Sequence, residues 1–513
     1  MKKTVIFLSA FLSVIALNAQ NRQDALRYSQ IFYEGSARSI AMGNAFTSIG
    51  GDLGVLSMNP AGTGIYKYSE FMFSPAISSA KSSTTYLGET NNNSYLKFYI
   101  PSVGYVNSLN KRGNTRRLNN INLSVAINRL NNFSSRMSAS GTEALTSWLG
   151  AVAAGTGGYS YTELNIESSD DTYPYFESGA SWRSVLAWNS NLLDLLPDSD
   201  EDYISATENI SGLSIIPAGP LDQNYLRETK GGISEFIVNL SANIGDKLFL
   251  GGSVGIQSIQ YSDYQRFGET AVNLADFDSQ FKSFTHIYRL NATGAGINAK
   301  AGIIYLPVEG LRLGASIATP TYTSMTDEWD ESIKSVFSDG YSQSIISPLG
   351  QYKYVVVSPA RVNIGASFVF GSYGVISADY EFADYSSIKM KEGDSYDTGV
   401  FDQENILISD DFQLASNFRI GMEFRPSPLF SIRAGYSLYQ SPERDFDQPI
   451  SFLSAGVGFR GSRGFFADFG LQRRLGTSEN FSLYNDYRTN VASPTGEMTK
   501  TGVRILTTIG FRF

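Results

Sequence analysis

The chain has 513 residues, one histidine and no cysteine, which leaves little from which to build a catalytic centre. His286 stands in the stretch FKSFTHIYRL. A hydrolytic nucleophile needs a base beside it, and metal sites usually gather several histidines, thiolates or carboxylates. One histidine supplies no such cluster, so His286 reads as a residue of a lumen, a barrel surface or an interface. A haem-iron ligand and the base of a serine hydrolase remain open alternatives for it. Arg419 with Glu423, and Asp379 with Glu381, lie an even number of residues apart and so share one face of a strand. Such pairs resemble acid–base dyads, but charges facing a water-lined lumen pair with one another or with a plug, and that accounts for them. No phosphate-binding or dinucleotide-binding loop stands between a strand and a helix. The expectation is a chain that is not an enzyme and holds no cofactor and no metal.

A second set of residues suits the binding of apolar molecules. Residues 143–154 read EALTSWLGAVAA and residues 182–196 read WRSVLAWNSNLLDLL. Leu145, Trp148 and Val152 recur at helical spacing, as do Val185, Leu186, Leu192, Leu193 and Leu196. Residues 327–337, DEWDESIKSVF, read as a third short amphipathic helix. These faces either pack on one another as a cap or form a greasy landing site for a ligand. Leu145, Trp148, Trp182, Leu186, Leu192 and Leu193 are the candidate capture residues. A third feature is conformational. In SMNPAG, residues 57–62, Pro60 fixes its own φ and restricts Asn59, the Asn59 amide can hold a turn, and Gly62 can take positive φ.

The elements that must position these residues are strands. From about residue 69 onward the apolar pattern has period two, as in Val503, Ile505, Ile509 and Phe511 against Arg504, Thr508, Gly510 and Arg512. Fourteen such segments are predicted, at 69–80, 94–108, 119–135, 232–245, 247–266, 281–306, 309–326, 352–370, 373–390, 414–426, 429–441, 450–460, 464–475 and 501–513. Each is long enough to cross a bilayer, which takes a tilted strand of about 9–11 residues. Short turns such as Gly371-Ser372-Tyr373 and Gly461-Ser462-Arg463 follow the even strands. The connections after odd strands are mostly long, the longest at about 137–230. A sandwich or propeller can alternate too, but it shows no strict short–long order and no repeated Arg, Asp and Glu on one face. The predicted fold is all-β, a 14-stranded antiparallel transmembrane β-barrel over 69–513, with both termini on the periplasmic side.

The first nineteen residues, MKKTVIFLSAFLSVIALNA, read as a secretory signal peptide. Losing Lys2 and Lys3 with it takes the formal charge from −9 to −11, which argues against a nucleic-acid partner. No internal apolar run is long enough for a membrane helix.

Several motifs resemble the FadL/TodX family of outer-membrane transport proteins. They are Ala41-Met42-Gly43-Asn44-Ala45-Phe46, Gly51-Asp52, Asn59-Pro60-Ala61-Gly62, Ala301–Pro307 with Leu311–Ala315, and Ile432–Tyr436, together with the terminal Phe513. The large loop and the Asn-, Ser- and Tyr-rich composition resemble the Bacteroidetes branch, whose members are sometimes labelled hemin receptors. The resemblance implies a monomeric barrel in the outer membrane whose residues 20–68 form a hatch, or plug, in the lumen. It implies passive uptake of a hydrophobic small molecule such as a long-chain fatty acid, caught by extracellular loops and released sideways into outer-membrane lipid. Gly43, Asn44, Asn59, Pro60, Ala61 and Gly62 would carry the hatch motif, with Asn59, Pro60 and Ala61 beside the wall opening. A hemin-binding or adhesin-like surface protein and a general porin are the alternatives.

Overall fold

The structure, a computed structural model, describes residues 21–110, 118–166, 179–393, 398–446, 448–488 and 491–513. The predicted signal peptide and most of the turn after the second strand lie outside the described residues. Fourteen antiparallel strands form a closed barrel. They are β1 (Glu70–Tyr86), β2 (Glu89–Asn110), β3 (Leu118–Asn132, continued as Ser135–Ala144), β4 (Leu221–Ile244), β5 (Leu248–Ala271), β6 (Phe281–Tyr305) and β7 (Leu311–Ala318, continued as Tyr322–Phe337). Then follow β8 (Gly350–Val357, continued as Arg361–Val369), β9 (Gly374–Asp384), β10 (Leu414–Phe424), β11 (Phe430–Tyr439), β12 (Ile450–Arg460), β13 (Phe465–Ser482) and β14 (Thr495–Arg512). Each pairs with its neighbours, and β14 closes on β1, with Ile505 opposite Ile77 and Phe511 opposite Phe71.

Alternation assigns the two faces. Leu123, Val125 and Ile127 of β3, Phe236, Val238 and Leu240 of β4, and Leu250, Val254 and Ile256 of β5 point outward and are exposed. Exposed apolar side chains in such a continuous band suit a lipid surround. At the short-turn end the band closes in aromatics, among them Tyr305, Phe370, Tyr373, Phe424 and Phe513, which matches an interfacial girdle. Along β5 the band ends near Ile256, and the outward residues beyond it, Ser258, Gln260 and Arg266, are polar and exposed. The upper ends of β4 to β7 therefore project past the belt.

The inward positions between them are polar and paired. Arg361 Nη1 and Arg419 Nη1 each lie 3.0 Å from one oxygen of Glu381, and Arg419 Nη2 donates to Asn363 Oδ1 at 2.7 Å. Arg433 links Glu423 at 2.6 Å to Asp468 at 2.7 Å. Pairing of lumen charges was expected, but the partners differ. Arg419 binds Glu381 rather than Glu423, and Asp379 accepts the Thr47 N–H at 2.7 Å instead of sharing a proton with Glu381. Partners come from neighbouring strands and from the N-terminal segment, because those neighbours lie across the lumen face while residues along one strand are farther apart.

Several boundaries differ from the sequence reading: β1 runs on to Tyr86 and β2 begins at Glu89, β9 stops at Asp384, and β13 runs on to Ser482. Residues 327–337 belong to strand β7, not to a helix, and Asp327, Glu331, Ile333 and Ser335 all face inward at period two. The upper half of β6 offers them a continuous pairing edge, with Glu331 opposite Tyr288 and Ile333 opposite His286. That ladder overrides a helical spacing of apolar residues. The long connection shrinks to 145–220, since β3 runs on to Ala144 and β4 begins at Leu221. An unforeseen helix, Asp402–Asp411, lies between β9 and β10.

Candidate functional site

Residues 21–68 touch strands around almost the whole circumference, always on their inner faces. Ala37 N donates to Thr508 Oγ1 on β14 at 2.8 Å, and Arg38 Nε lies 3.0 Å from Glu423 on β10. Ser316 on β7 donates to the Met58 carbonyl at 2.7 Å, and Asn128 on β3 to the Leu53 carbonyl at 3.0 Å. Inward glycines make room for this backbone. A Cβ at Gly435 would meet Gly43 N and Met42 C, and one at Gly421 the Met42 carbonyl.

The segment starts with a helix, Arg22–Ser29, capped by Asn21 and Asp24. Arg22 lies 2.7 Å from Asp411, and Gln23 donates to Glu443 at 3.0 Å, so the helix sits at the long-loop end. The segment leaves at the other end, where Ser69 and Phe513 exchange backbone hydrogen bonds. The first described residues and the C-terminus thus lie at opposite ends of the barrel, unlike the expectation that both ends share one side.

Each motif residue has a definite setting. Gly43 (φ +60) and Asn44 (φ +58) form a left-handed turn, and Asn44 Nδ2 donates to the Tyr33 carbonyl at 2.7 Å. Asn59 caps the turn of 3-10 helix Pro60–Ile65 by accepting from Ala61 N at 3.0 Å, as an asparagine does at a helix start. Its amide donates to Thr47 O at 2.7 Å and to Ile303 O of β6 at 3.3 Å. Pro60 packs on Gly251 of β5, and Gly62 reaches Gly50. Asn59, Pro60 and Ala61 therefore brace the segment against β5 and β6.

The break in the wall lies elsewhere. Backbone pairing of β2 with β3 ends at Ser102 opposite Asn128. Above it, side chains bridge the strands: Lys97 Nζ to Ser134 Oγ at 3.1 Å, Asn93 Nδ2 to Ser138 Oγ at 2.7 Å and Asn91 Nδ2 to Ser140 Oγ at 2.9 Å. Across β3 from this gap, β4 carries Gly231 (φ +113) and Gly232 (φ +148), where β3 shifts register between Arg129 and Asn131. The N-terminal segment fills part of the vacated edge. Phe32 N donates to Leu130 O at 2.7 Å, Glu34 N to Arg129 O at 3.2 Å, and Asn131 Nδ2 to Gln30 O at 2.9 Å. Leu96, Phe98 and Ile100, on the outer face of β2 beside the gap, are exposed apolar residues, so the gap faces lipid. The adjacent glycines and the lapse of alternation at Asn131-Asn132 were the available sequence signals for this kink.

Cavities lead to it. One of about 530 Å³ lies beneath the long loops and is bordered by Gln23, Leu26, Phe446 and Lys500. Phe32, Ile450 and Arg474 line both it and a cavity of about 150 Å³ that reaches Asn131, Asn132 and Ser134 at the break. A space of about 150 Å³ has the size of one aromatic ring or a short stretch of alkyl chain, and its lining mixes Phe32, Ile450 and Phe452 with Asn131, Gln472 and Arg504. A third, of about 390 Å³, lies between Asp24 and Arg27 below and Trp182, Arg183 and Trp329 above.

The candidate capture residues are mostly interior. Helices Trp148–Thr156 and Trp182–Asn189 pack with Phe267, Phe284 and Ile333 into one cap core. Trp148, Trp182, Leu186, Leu192 and Leu193 are buried there, and Leu145 is exposed. Trp182 borders the 390 Å³ cavity. His286 serves the same cap: its Nε2 lies 2.7 Å from Glu331 Oε2, and Trp148 stacks on its ring at 4.9 Å. At 5% exposure it is not presented as a ligand for haem iron. Glu269, well past the apolar belt, accepts from Ser147 Oγ at 2.5 Å, Trp148 N at 2.8 Å and Gln223 Nε2 at 2.8 Å. Burial pushes its carboxyl up to about 7 against those bonds.

No protein-family model matches the sequence, and no curated protein matches it. Solved structures do. The toluene transporter TodX of P. putida aligns with a TM-score of 0.52 at 12% identity, covering 94% of this chain and 99% of that one. A FadL homologue of Pseudomonas aeruginosa aligns with a TM-score of 0.53 at 12% identity, covering 94% and 100%. At such identities the likeness establishes a shared fold, and the function has to be argued from the site.

Proposed function

We propose that this chain, which has the fold of TodX and of a FadL homologue, is an outer-membrane channel for passive uptake of hydrophobic compounds, long-chain fatty acids or similar molecules. The observation that carries the reading is the break between β2 and β3, which has an interior cavity on one side and exposed Leu96, Phe98 and Ile100 on the other. A hydrophobic solute gains about 25 cal/mol per Å² of apolar surface buried, so a lined cavity holds it where a water-filled pore would not. Residues 20–68 act as the hatch. Gly43, Asn44 and Asn59 to Gly62 anchor its lower half, and Gln30 to Glu34 cover the break. Ligand enters under the loop cap, passes Phe32 and Arg474, and leaves sideways between β2 and β3. A porin for polar solutes fits less well, because the segment crosses the lumen from end to end.

The chain has no native cysteine, so Ser134→Cys places a single thiol at the break. In proteoliposomes, a bulky methanethiosulfonate on that thiol is expected to cut uptake of a hydrophobic probe at least about tenfold by blocking the exit, and dithiothreitol to restore it. Unchanged uptake after complete labelling would refute a sideways exit.

A further inference from the structure

A cavity of about 920 Å³, larger than any along the proposed route, opens at the outermost end of the molecule. It lies between the cap, the β5–β6 loop and the tip of the β7–β8 hairpin, and shares no described lining residue with the cavities under the cap and at the wall break. Its chemistry also differs from theirs. Among the described residues no lysine or arginine lines it, whereas each of the others has at least one. Trp188, Phe337 and Tyr341 supply aromatic surface, and Tyr341 is exposed. Amides and carboxylates make up much of the rest. Glu208 is matched by Arg488 at 2.7 Å, but the carboxylates of Asp194 and Asp339 accept only from nearby backbone N–H groups. The side chains of Asn191, Asp278 and Gln280 make no hydrogen bond to the described residues.

The walls are fastened to one another. Ser279 Oγ donates to the Ala206 carbonyl at 2.6 Å, Asn209 Nδ2 to the Asp276 carbonyl at 2.8 Å, Ser335 Oγ to the Ser190 carbonyl at 2.7 Å and Ser338 N to the Gln280 carbonyl at 2.9 Å. A preformed site loses little freedom when it binds. Two of the lining residues with unused side chains, Asn191 (φ +58) and Gln280 (φ +61), have left-handed backbone, which glycine adopts more readily than glutamine does. Their side chains are therefore carried at a cost in strain.

Aromatic surface interleaved with unused amides and carboxylates fits a sugar. A pyranose has apolar C–H faces and a rim of hydroxyls. The faces rest on aromatic rings, and the hydroxyls donate to carboxylate or amide oxygens and accept from amide N–H groups. Unpaired carboxylates turn away an acidic sugar or a phosphate by like-charge repulsion. The volume is near the top of the range for small-ligand sites, about 300–1,000 Å³, and has room for more than one ring.

We propose that this cavity binds an uncharged oligosaccharide at the outer face of the cap, with Trp188 and Tyr341 as ring platforms and Asn191, Asp278 and Gln280 as hydroxyl partners. The site does not depend on the uptake reading. Its sugar comes from the lipopolysaccharide of the surrounding leaflet or from a free glycan, which share this chemistry.

Calorimetry on the full-length protein in nanodiscs tests it with four saccharides: maltohexaose, N-acetylchitohexaose, the galacturonate hexamer, and the polysaccharide released by mild acid from the host's lipopolysaccharide. At least one of the two neutral hexamers or the released polysaccharide is expected to bind, with the galacturonate hexamer at least about tenfold weaker than the best of them. Binding of the released polysaccharide assigns the source to the leaflet, and binding of a hexamer alone assigns it to free glycan. Tyr341→Ala is expected to weaken the best probe at least about tenfold, and Gln280→Gly and Asn191→Gly about fivefold each. Because glycine relieves left-handed backbone, both glycine variants are expected to keep or raise the melting temperature, which separates lost binding from lost folding. Uptake of a hydrophobic probe is expected to be unchanged in Tyr341→Ala. No binding by any of the four, a galacturonate hexamer as tight as the neutral ones, or unchanged affinity in all three variants would overturn the proposal. Binding of spermidine without binding of any saccharide would also overturn it, and would show a site for organic cations.

Discussion

Glu269 shows how a single buried group can set the behaviour of a loop. Its carboxyl accepts two hydrogen bonds from the cap and one from Gln223 of β4, yet burial dominates and favours the neutral acid. Its pKa rises from 4.5 to about 7 on folding, so the cap is most stable below pH 4.5 and loses stability as pH climbs through 7. At about 1.4 kcal/mol per pKa unit the loss is on the order of 3 kcal/mol. Three of the four tryptophans, Trp148, Trp182 and Trp188, lie in the loop, so intrinsic fluorescence reports its melting. The expected result is a lower cap melting temperature at pH 8 than at pH 5, with most of the difference gone in Glu269→Gln. His286 belongs to the same story. As an isolated residue it invited thoughts of catalysis or haem, but Glu331 and Trp148 make it a fastener between barrel and cap. Nothing in the stretch around His286 reveals either partner, because one lies 45 residues away and the other on a different element.

Among the elements, strands were legible and loop helices less so. Alternation located all fourteen strands, since lipid on one side and polar lumen on the other impose opposite chemistry on successive residues. It failed at 327–337, where helical spacing of Trp329, Ile333 and Phe337 coincided with period two, and only the free edge of β6 decided between them. The loop helices formed about where expected, at Trp148–Thr156 and Trp182–Asn189, but their apolar faces meet each other and the barrel rim instead of a ligand. The N-terminal segment depends on a different property of strands, the absence of side chains at chosen inward positions. Gly435→Val would force β-branched bulk against the Met42–Gly43 backbone. The expected outcome is a dislodged segment, read as new trypsin cleavage at Arg38, in a barrel that keeps its heat-modifiable mobility. Resistance at Arg38 would show that the segment is held by other contacts.

For the molecule as a whole, the proposed hatch role of residues 21–68 implies a barrel that conducts little. Deleting residues 21–68 behind an intact signal peptide is expected to leave a folded monomer by native mass spectrometry and to raise planar-bilayer conductance at least about tenfold, because a 14-stranded wall encloses more space than its own side chains fill. Unchanged conductance would place the barrier in the loop cap.

By itself, the sequence determined the barrel, its strand count and the ordering of short turns and long loops, because these follow from local alternation and turn chemistry that any window of the chain displays. It also marked Asn59-Pro60-Ala61-Gly62 as a turn; these residues open the 3-10 helix Pro60–Ile65, and Gly62 does not take the positive φ open to it. Tertiary structure alone decided what that turn leans on, β5 and β6, and where backbone pairing in the wall lapses, between β2 and β3. It alone brought Glu34 to Arg504 across 470 residues of chain. Such placements arise from register and from contacts between distant segments, and each depends on how the barrel closes around the segment inside it.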